Sequence, residues 1–235
     1  MIAYHPDSRF LTDFASANLP LSEAVCVSVH LEFCGKCRAH VKQLNELGAM
    51  LMESSCVEPL AEDSFDKLMG SIDNSASIEA PAAQHKSPVS EVSDMPLSSK
   101  LVSPRALKGA LKAGFSKLNW VQLGAHLRIA PLNLGGESRE TAIYDIKAGG
   151  RMPEHEHNGE EITVLLKGSF SDAEGSYSRG DFVVRNKGEA HQPTATQDMD
   201  CVCLVSLESP IKPKSWLYRL FLPYVQHRIN RAALY

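Results

Sequence analysis

Gly149-Gly-Arg-Met-Pro-Glu-His155-Glu-His157-Asn-Gly-Glu-Glu161-Ile-Thr-Val-Leu-Leu-Lys-Gly168 places two histidines and a carboxylate just ahead of a run of apolar side chains. Side chains alternate between the two faces of a strand, so His155 and His157 project to one side. Glu161 shares their parity if the Asn158-Gly159 turn preserves it, whereas Glu160 has the opposite one. The same alternating pattern recurs outward from this stretch, in Ala142–Ile146, Ile162–Leu166 and Cys201–Val205, with glycine-containing turns at close spacing. The second half of the chain is therefore predicted to be mostly β.

The spacing Gly149-x5-His155-x-His157-x3-Glu161-x6-Gly168 resembles the first cupin motif. A second stretch, Gly180-x5-Asn186-x-Gly188-x2-His191-x3-Ala195, keeps both glycines and the histidine of the second cupin motif. It has Asn186 where that motif has proline and Ala195 where it has asparagine. The resemblance implies a double-stranded β-helix barrel over residues 105–235. His155, His157, Glu161 and His191 are then the expected metal ligands, a donor set that accepts zinc, iron, manganese or nickel.

From about Gly70 to Pro104 the chain is rich in Ser, Ala, Pro and acidic residues, with few large apolar side chains to bury. This composition predicts a flexible linker, placed at 73–104. Before it, apolar residues recur at helical spacing in Phe10, Leu11, Phe14; in Leu21, Val25, Val29; and in Val41, Leu44, Leu47, Leu51. Asp7 and Ser22 are candidate N-caps, and Leu19-Pro20 marks a turn. Residues 1–72 thus read as a small helical bundle, too small to stabilise itself easily by its core alone.

Within that bundle, His30-Leu-Glu-Phe-Cys34-Gly-Lys-Cys37 sets an imidazole and two thiols at offsets of four and seven. On one continuous helix these positions share a face; Gly35 also permits a tight knuckle. Either geometry converges three ligands suited to tetrahedral zinc. His5, in His5-Pro6-Asp7 just before the first helix, is the expected fourth ligand. His40 is the rival, although it crowds one helix with four ligands and leaves the first helix untethered. A dithiol redox pair is the other reading of the CxxC. Cys26 and Cys56 lack such company and read as core.

The 235 residues carry 43% hydrophobic and 22% charged side chains and a net charge of −4, ordinary for a soluble protein and without the basic excess of a nucleic-acid binder. Six cysteines are too few for a disulfide scaffold. No apolar run is long enough to span a bilayer and no secretory leader is legible, so the expected location is the cytoplasm, away from the membrane. Residues 1–72 hold ten acidic and five basic side chains, a net −5, which suits a basic protein partner better than DNA.

The pattern His5 with His30-x3-Cys34-x2-Cys37 resembles the zinc-binding anti-sigma domain. Followed by a linker and a cupin, it resembles the ChrR family of anti-sigma factors over nearly the whole chain. That resemblance implies two domains, an all-α zinc-binding bundle and an all-β cupin barrel, each binding Zn2+. It further implies a non-enzymatic regulator that holds an extracytoplasmic-function sigma factor in a 1:1 complex and releases it during singlet-oxygen or organic-peroxide stress. The alternative is a metal-dependent cupin dioxygenase with an appended zinc-binding interaction domain. Cys201 and Cys203 read as buried small residues. The tail from Ile211, with five basic and no acidic side chains, reads as packing on the barrel, with Pro223 interrupting any long helix.

Overall fold

The computed structural model describes residues 2–55, 61–75, 104–107, 115–134, 139–214 and 216–233. Cys56 and most of the linker lie outside them. Packing divides the chain into two compact units, Met1–Gly48 with Lys100–Tyr235, and Ala49–Ser99. Helix α1 (Ser8–Ala15) starts as predicted, with the Asp7 carboxylate accepting from the Phe10 amide at 3.0 Å. Helix α2 (Leu21–Phe33) begins directly after Pro20, so Ser22 is buried inside the helix and does not cap it. Helix α3 (Gly35–Ser54) follows after a break at Cys34. Helix α4 (Ser64–Ser75) runs on into the stretch whose composition reads as linker.

The β part contains β1 (Val121–Leu123), β2 (Leu127–Leu132), β3 (Glu140–Ile146), β4 (His155–Glu156), β5 (Glu161–Lys167) and β6 (Ser169–Ser171). It continues with β7 (Ser176–Ser178), β8 (Phe182–Arg185), β9 (Ala190–His191), β10 (Thr194–Ala195), β11 (Cys201–Leu207) and β12 (Lys212–Pro213). A six-stranded antiparallel sheet has the order β1-β2-β3-β11-β5-β8, and two three-stranded sheets, β10-β6-β7 and β12-β4-β9, complete the barrel. The three predicted strands, β3, β5 and β11, are adjacent at the centre of the large sheet.

Strands β5 and β11 are buried on both faces, and alternation explains how. Leu165, Cys201, Cys203, Val205 and Leu207 fill the barrel interior, together with Tyr144, Phe170 and Tyr177. Ile162, Val164, Leu166, Val202 and Leu204 face the other way, onto Phe10, Leu11, Cys26, Val27 and Val29 of α1 and α2. Helix α2 thus completes the core on the outer face of the sheet. Its buried Glu23 is held there by Arg139 at 3.2 Å, an ion pair with both side chains under 10% exposed. At its other end the Glu32 carboxylate accepts from the Ala106 amide.

Helix α5 (Trp216–Ala233) packs on β1, β2 and β12, as expected of the tail, yet it continues through Pro223. Ile229 packs against the interior cluster, and Gln226 donates to Glu140 at 2.9 Å. These contacts offset the hydrogen bond that proline removes.

Candidate metal centres

Two clusters gather every sequence-predicted ligand: His5, His30, Cys34 and Cys37 in one, and His155, His157, Glu161 and His191 in the other, with each set of donor atoms within 4.8 Å of one another. His40, the rival to His5, is exposed and belongs to neither.

The first centre is built at the break between α2 and α3. Cys34 adopts an extended backbone, φ −107° and ψ 104°, so the knuckle and not the continuous helix brings the thiols together. Its Sγ accepts from the Cys37 amide at 3.4 Å. His5 Nδ1 lies 3.4 Å from each sulfur, close to the edge of about 3.5 Å expected between nitrogen and sulfur around tetrahedral zinc. One ring nitrogen equidistant from two thiols fits a common ion better than two hydrogen bonds.

His30 supplies the clearest fit. Its Nδ1 donates to the Gly180 carbonyl at 2.7 Å, which fixes the tautomer and leaves Nε2 buried with no hydrogen-bond partner. Burial, chiefly, holds this imidazole down to about 4, in its neutral, ligating form. Burial and the neighbouring Cys34 push the Cys37 thiol up to about 12. Two thiolates side by side there call for a cation.

The second centre is carried by short strands. His155 pairs in register with His191 across β4 and β9, and the His157 amide donates to Glu189 O at 3.1 Å. His155 Nδ1 donates to Pro153 O at 2.9 Å and His191 Nδ1 to the Asp172 carboxylate at 3.0 Å. Both Nε2 atoms therefore carry lone pairs, and they face each other at 3.0 Å. Such an approach is repulsive unless a cation lies against both; two imidazole nitrogens around one tetrahedral zinc stand about 3.3 Å apart. His157 has both ring nitrogens buried and without a hydrogen bond, with Nδ1 3.6 Å from Glu161. Burial and the other two histidines hold His157 down to about 3, and burial, then His155, holds His191 down to about 4. Burial raises Glu161 to about 7, against the hydrogen bond it accepts from Thr163.

Asp172 was not legible as a site residue, because Asp172-Ala-Glu-Gly175 reads as an ordinary polar turn. The pairing of β6 with β7 carries its side chain inward, where it is fully buried and meets both His191 and Arg185, at 3.0 and 2.9 Å. Burial pushes its carboxyl up, but the hydrogen bonds from Arg185 and His191 outweigh this and leave it below the usual range. A carboxylate behind a ligating histidine fixes ring orientation and raises ligand basicity.

Comparison with known proteins covers both the helical and the β parts of the chain. Residues 110–210 match the model of the ChrR cupin-like domain. The chain is 29% identical over 226 residues to the anti-sigma-E factor ChrR of Cereibacter sphaeroides, covering 95% of this chain and 98% of that protein. It also superposes on the crystal structure of Rhodobacter sphaeroides SigE in complex with the anti-sigma ChrR, with a TM-score of 0.70 and 26% identity, covering 88% of this chain and 99% of the matched one. Along nearly its whole length, then, the chain resembles the ChrR anti-sigma factors, with N-terminal helices followed by the ChrR cupin-like domain.

Proposed function

We propose that this protein is an anti-sigma factor, a negative regulator of transcription that sequesters an extracytoplasmic-function sigma factor in a 1:1 complex and releases it under singlet-oxygen or organic-peroxide stress. The observation that carries this reading is a set of apolar side chains left facing solvent. In α4, Phe65, Leu68, Met69 and Ile72 follow the i, i+3, i+4, i+7 spacing of a docking face, and all are at least 40% exposed. In α3, Val41 is buried while Leu47, Met50 and Leu51 are exposed, so the apolar stripe outlasts its cover. Exposed stripes of this size belong to interfaces, and the net −5 of residues 1–72 suits a basic partner.

In this reading the sigma-binding part is 1–72, with 73–104 as a flexible linker and 105–235 as the cupin. His5, His30, Cys34 and Cys37 hold a structural zinc, since two thiolates and two imidazoles make a closed tetrahedral set. His155, His157, Glu161 and His191 hold a second zinc. A zinc ion supplies a fixed positive charge and a tetrahedral template. Around it, His30 anchors α2 to the barrel, Cys34 turns the chain into α3, and Asp172 orients His191. The cavity bounded by His155, Glu161 and His191 is about 20 Å³, enough for one water-sized group, and it shares Tyr144, Met152 and His155 with a neighbouring cavity of about 480 Å³. Among the described residues no helix is long and apolar enough to cross a membrane; in this reading the protein works in the cytoplasm beside its sigma factor and does not itself bind nucleic acid.

A run-off transcription assay tests the reading. With core RNA polymerase and a cognate extracytoplasmic-function sigma factor, equimolar protein is expected to abolish sigma-dependent transcript. Undiminished transcript at tenfold excess would overturn it.

A further inference from the structure

The segment from β6 to β8, a hairpin of β6 and β7 followed by a turn into β8 of the large sheet, touches both candidate centres. At one end the Asp172 carboxylate accepts from His191 Nδ1 at 3.0 Å, from Arg185 Nη2 at 2.9 Å and from the Tyr177 hydroxyl at 3.3 Å. Arg185 also donates to the Tyr177 hydroxyl. The Tyr177 ring lies 4.7 Å from that of Tyr4, the residue before His5. At the other end, Asp181 accepts from the Ala3 and Tyr4 amides at 2.8 and 3.0 Å, while the adjacent Gly180 carbonyl accepts from His30. The Phe182 amide donates to Tyr4 O at 3.1 Å. One continuous segment, 172–185, therefore positions a ligand of the cupin centre and two ligands of the thiolate centre.

We propose that this segment couples the two centres energetically: metal held by His155, His157, Glu161 and His191 fixes Asp172, which through Arg185, Tyr177 and Tyr4 fixes the segment bearing His5. Asp172 and Tyr177 are positioning residues, and occupancy of the cupin centre sets the metal affinity of the thiolate centre. Coupling between two binding sites is reciprocal and commonly amounts to a factor of about 5–150. The inference rests on the reading that both clusters bind metal.

Cobalt(II) titration of the full chain tests it. Of the eight ligands only Cys34 and Cys37 supply sulfur, so the thiolate-to-cobalt charge-transfer band reports the first centre alone. His157→Ala removes a cupin ligand whose ring makes no hydrogen bond to the 172–185 segment, and is expected to weaken cobalt binding at the thiolate centre by about fivefold or more. Tyr177→Phe keeps the ring against Tyr4 but removes the hydroxyl, and Asp172→Asn removes the charge; in either background His157→Ala is expected to have no further effect. The coupling is overturned if His157→Ala leaves the thiolate-centre affinity within about twofold of the native value, or if its effect is undiminished in both backgrounds. Two cobalt ions bound with independent affinities refute the coupling alone. Fewer than two bound by the native chain refute the two-centre reading and the coupling with it.

Discussion

Cys34 ends one helix, begins the next and offers a thiol to the first centre, so a single substitution there acts at three levels. Zinc bound by such a set contributes about 10–16 kcal/mol in small peptides, more than the whole stability of most small domains. Cys34→Ala or Cys37→Ala is therefore expected to cost the chain one equivalent of zinc and its hold on sigma, measured by metal analysis and by sigma-dependent reporter expression. Normal repression by either variant would refute a structural zinc. Glu23 offers a test independent of metal. Leaving a buried charge wholly unpaired costs about 3–5 kcal/mol; Glu23→Ala leaves Arg139 with Glu160 at 3.6 Å and Ser206 Oγ at 3.0 Å, so it should lower the urea midpoint by less than that full cost implies. Six of the candidate ligands were legible because His30, Cys34 and Cys37, and His155, His157 and Glu161, have short spacings that a knuckle or a strand converts directly into proximity, whereas His191 was legible only through the likeness of its stretch to the second cupin motif. The choice of His5 over His40 rested on tethering α1, and the structure brings His5 to the thiols. Asp172 was not legible, since only the register of three strands gives a polar turn residue its place behind His191.

Among the elements, β3, β5 and β11 were legible for a physical reason: they are covered on both faces, which demands long apolar runs. Strands β4, β9, β10 and β12 have two residues each and no pattern of their own; pairing alone defines them. Helix α5 was misjudged at Pro223, where packing on β1, β2 and β12 outweighs the proline penalty. The turn between β7 and β8 carries a local requirement. Gly180 has φ +91°, and a Cβ there would sit 2.8 Å from Ile2 Cδ1 and 2.9 Å from Phe33 Cβ. Gly180→Ala should cost about 1–3 kcal/mol in backbone strain and push the N-terminal segment off the barrel. Faster amide exchange at Ala3 and Tyr4 would register this; unchanged exchange would count against it. In α4 the exposed face makes the opposite kind of claim, on binding and not on folding. Phe65→Asp with Leu68→Asp is expected to weaken sigma binding by about 30-fold or more, some 2 kcal/mol, with unfolding unchanged.

At the scale of the molecule, the change from helical to alternating hydrophobicity revealed two kinds of structure, but not that α1 and α2 share a core with the outer face of the barrel. Contacts of that kind join residues more than a hundred positions apart and leave no local period. Their consequence is functional: His30 bonds to the barrel, so the centre that shapes the N-terminal helices is seated on the domain that carries the second centre. Beyond residue 46, Leu47, Met50, Leu51, Phe65, Leu68, Met69 and Ile72 are exposed, and the proposed sequestration would use them. The most direct test is native mass spectrometry of the full chain co-expressed with an extracytoplasmic-function sigma factor from the same genome. The expected species is one chain with one sigma factor and two zinc ions. Separate, uncomplexed proteins across the candidate sigma factors, or a chain carrying iron in its cupin centre and turning over an organic substrate, would contradict sequestration as the function.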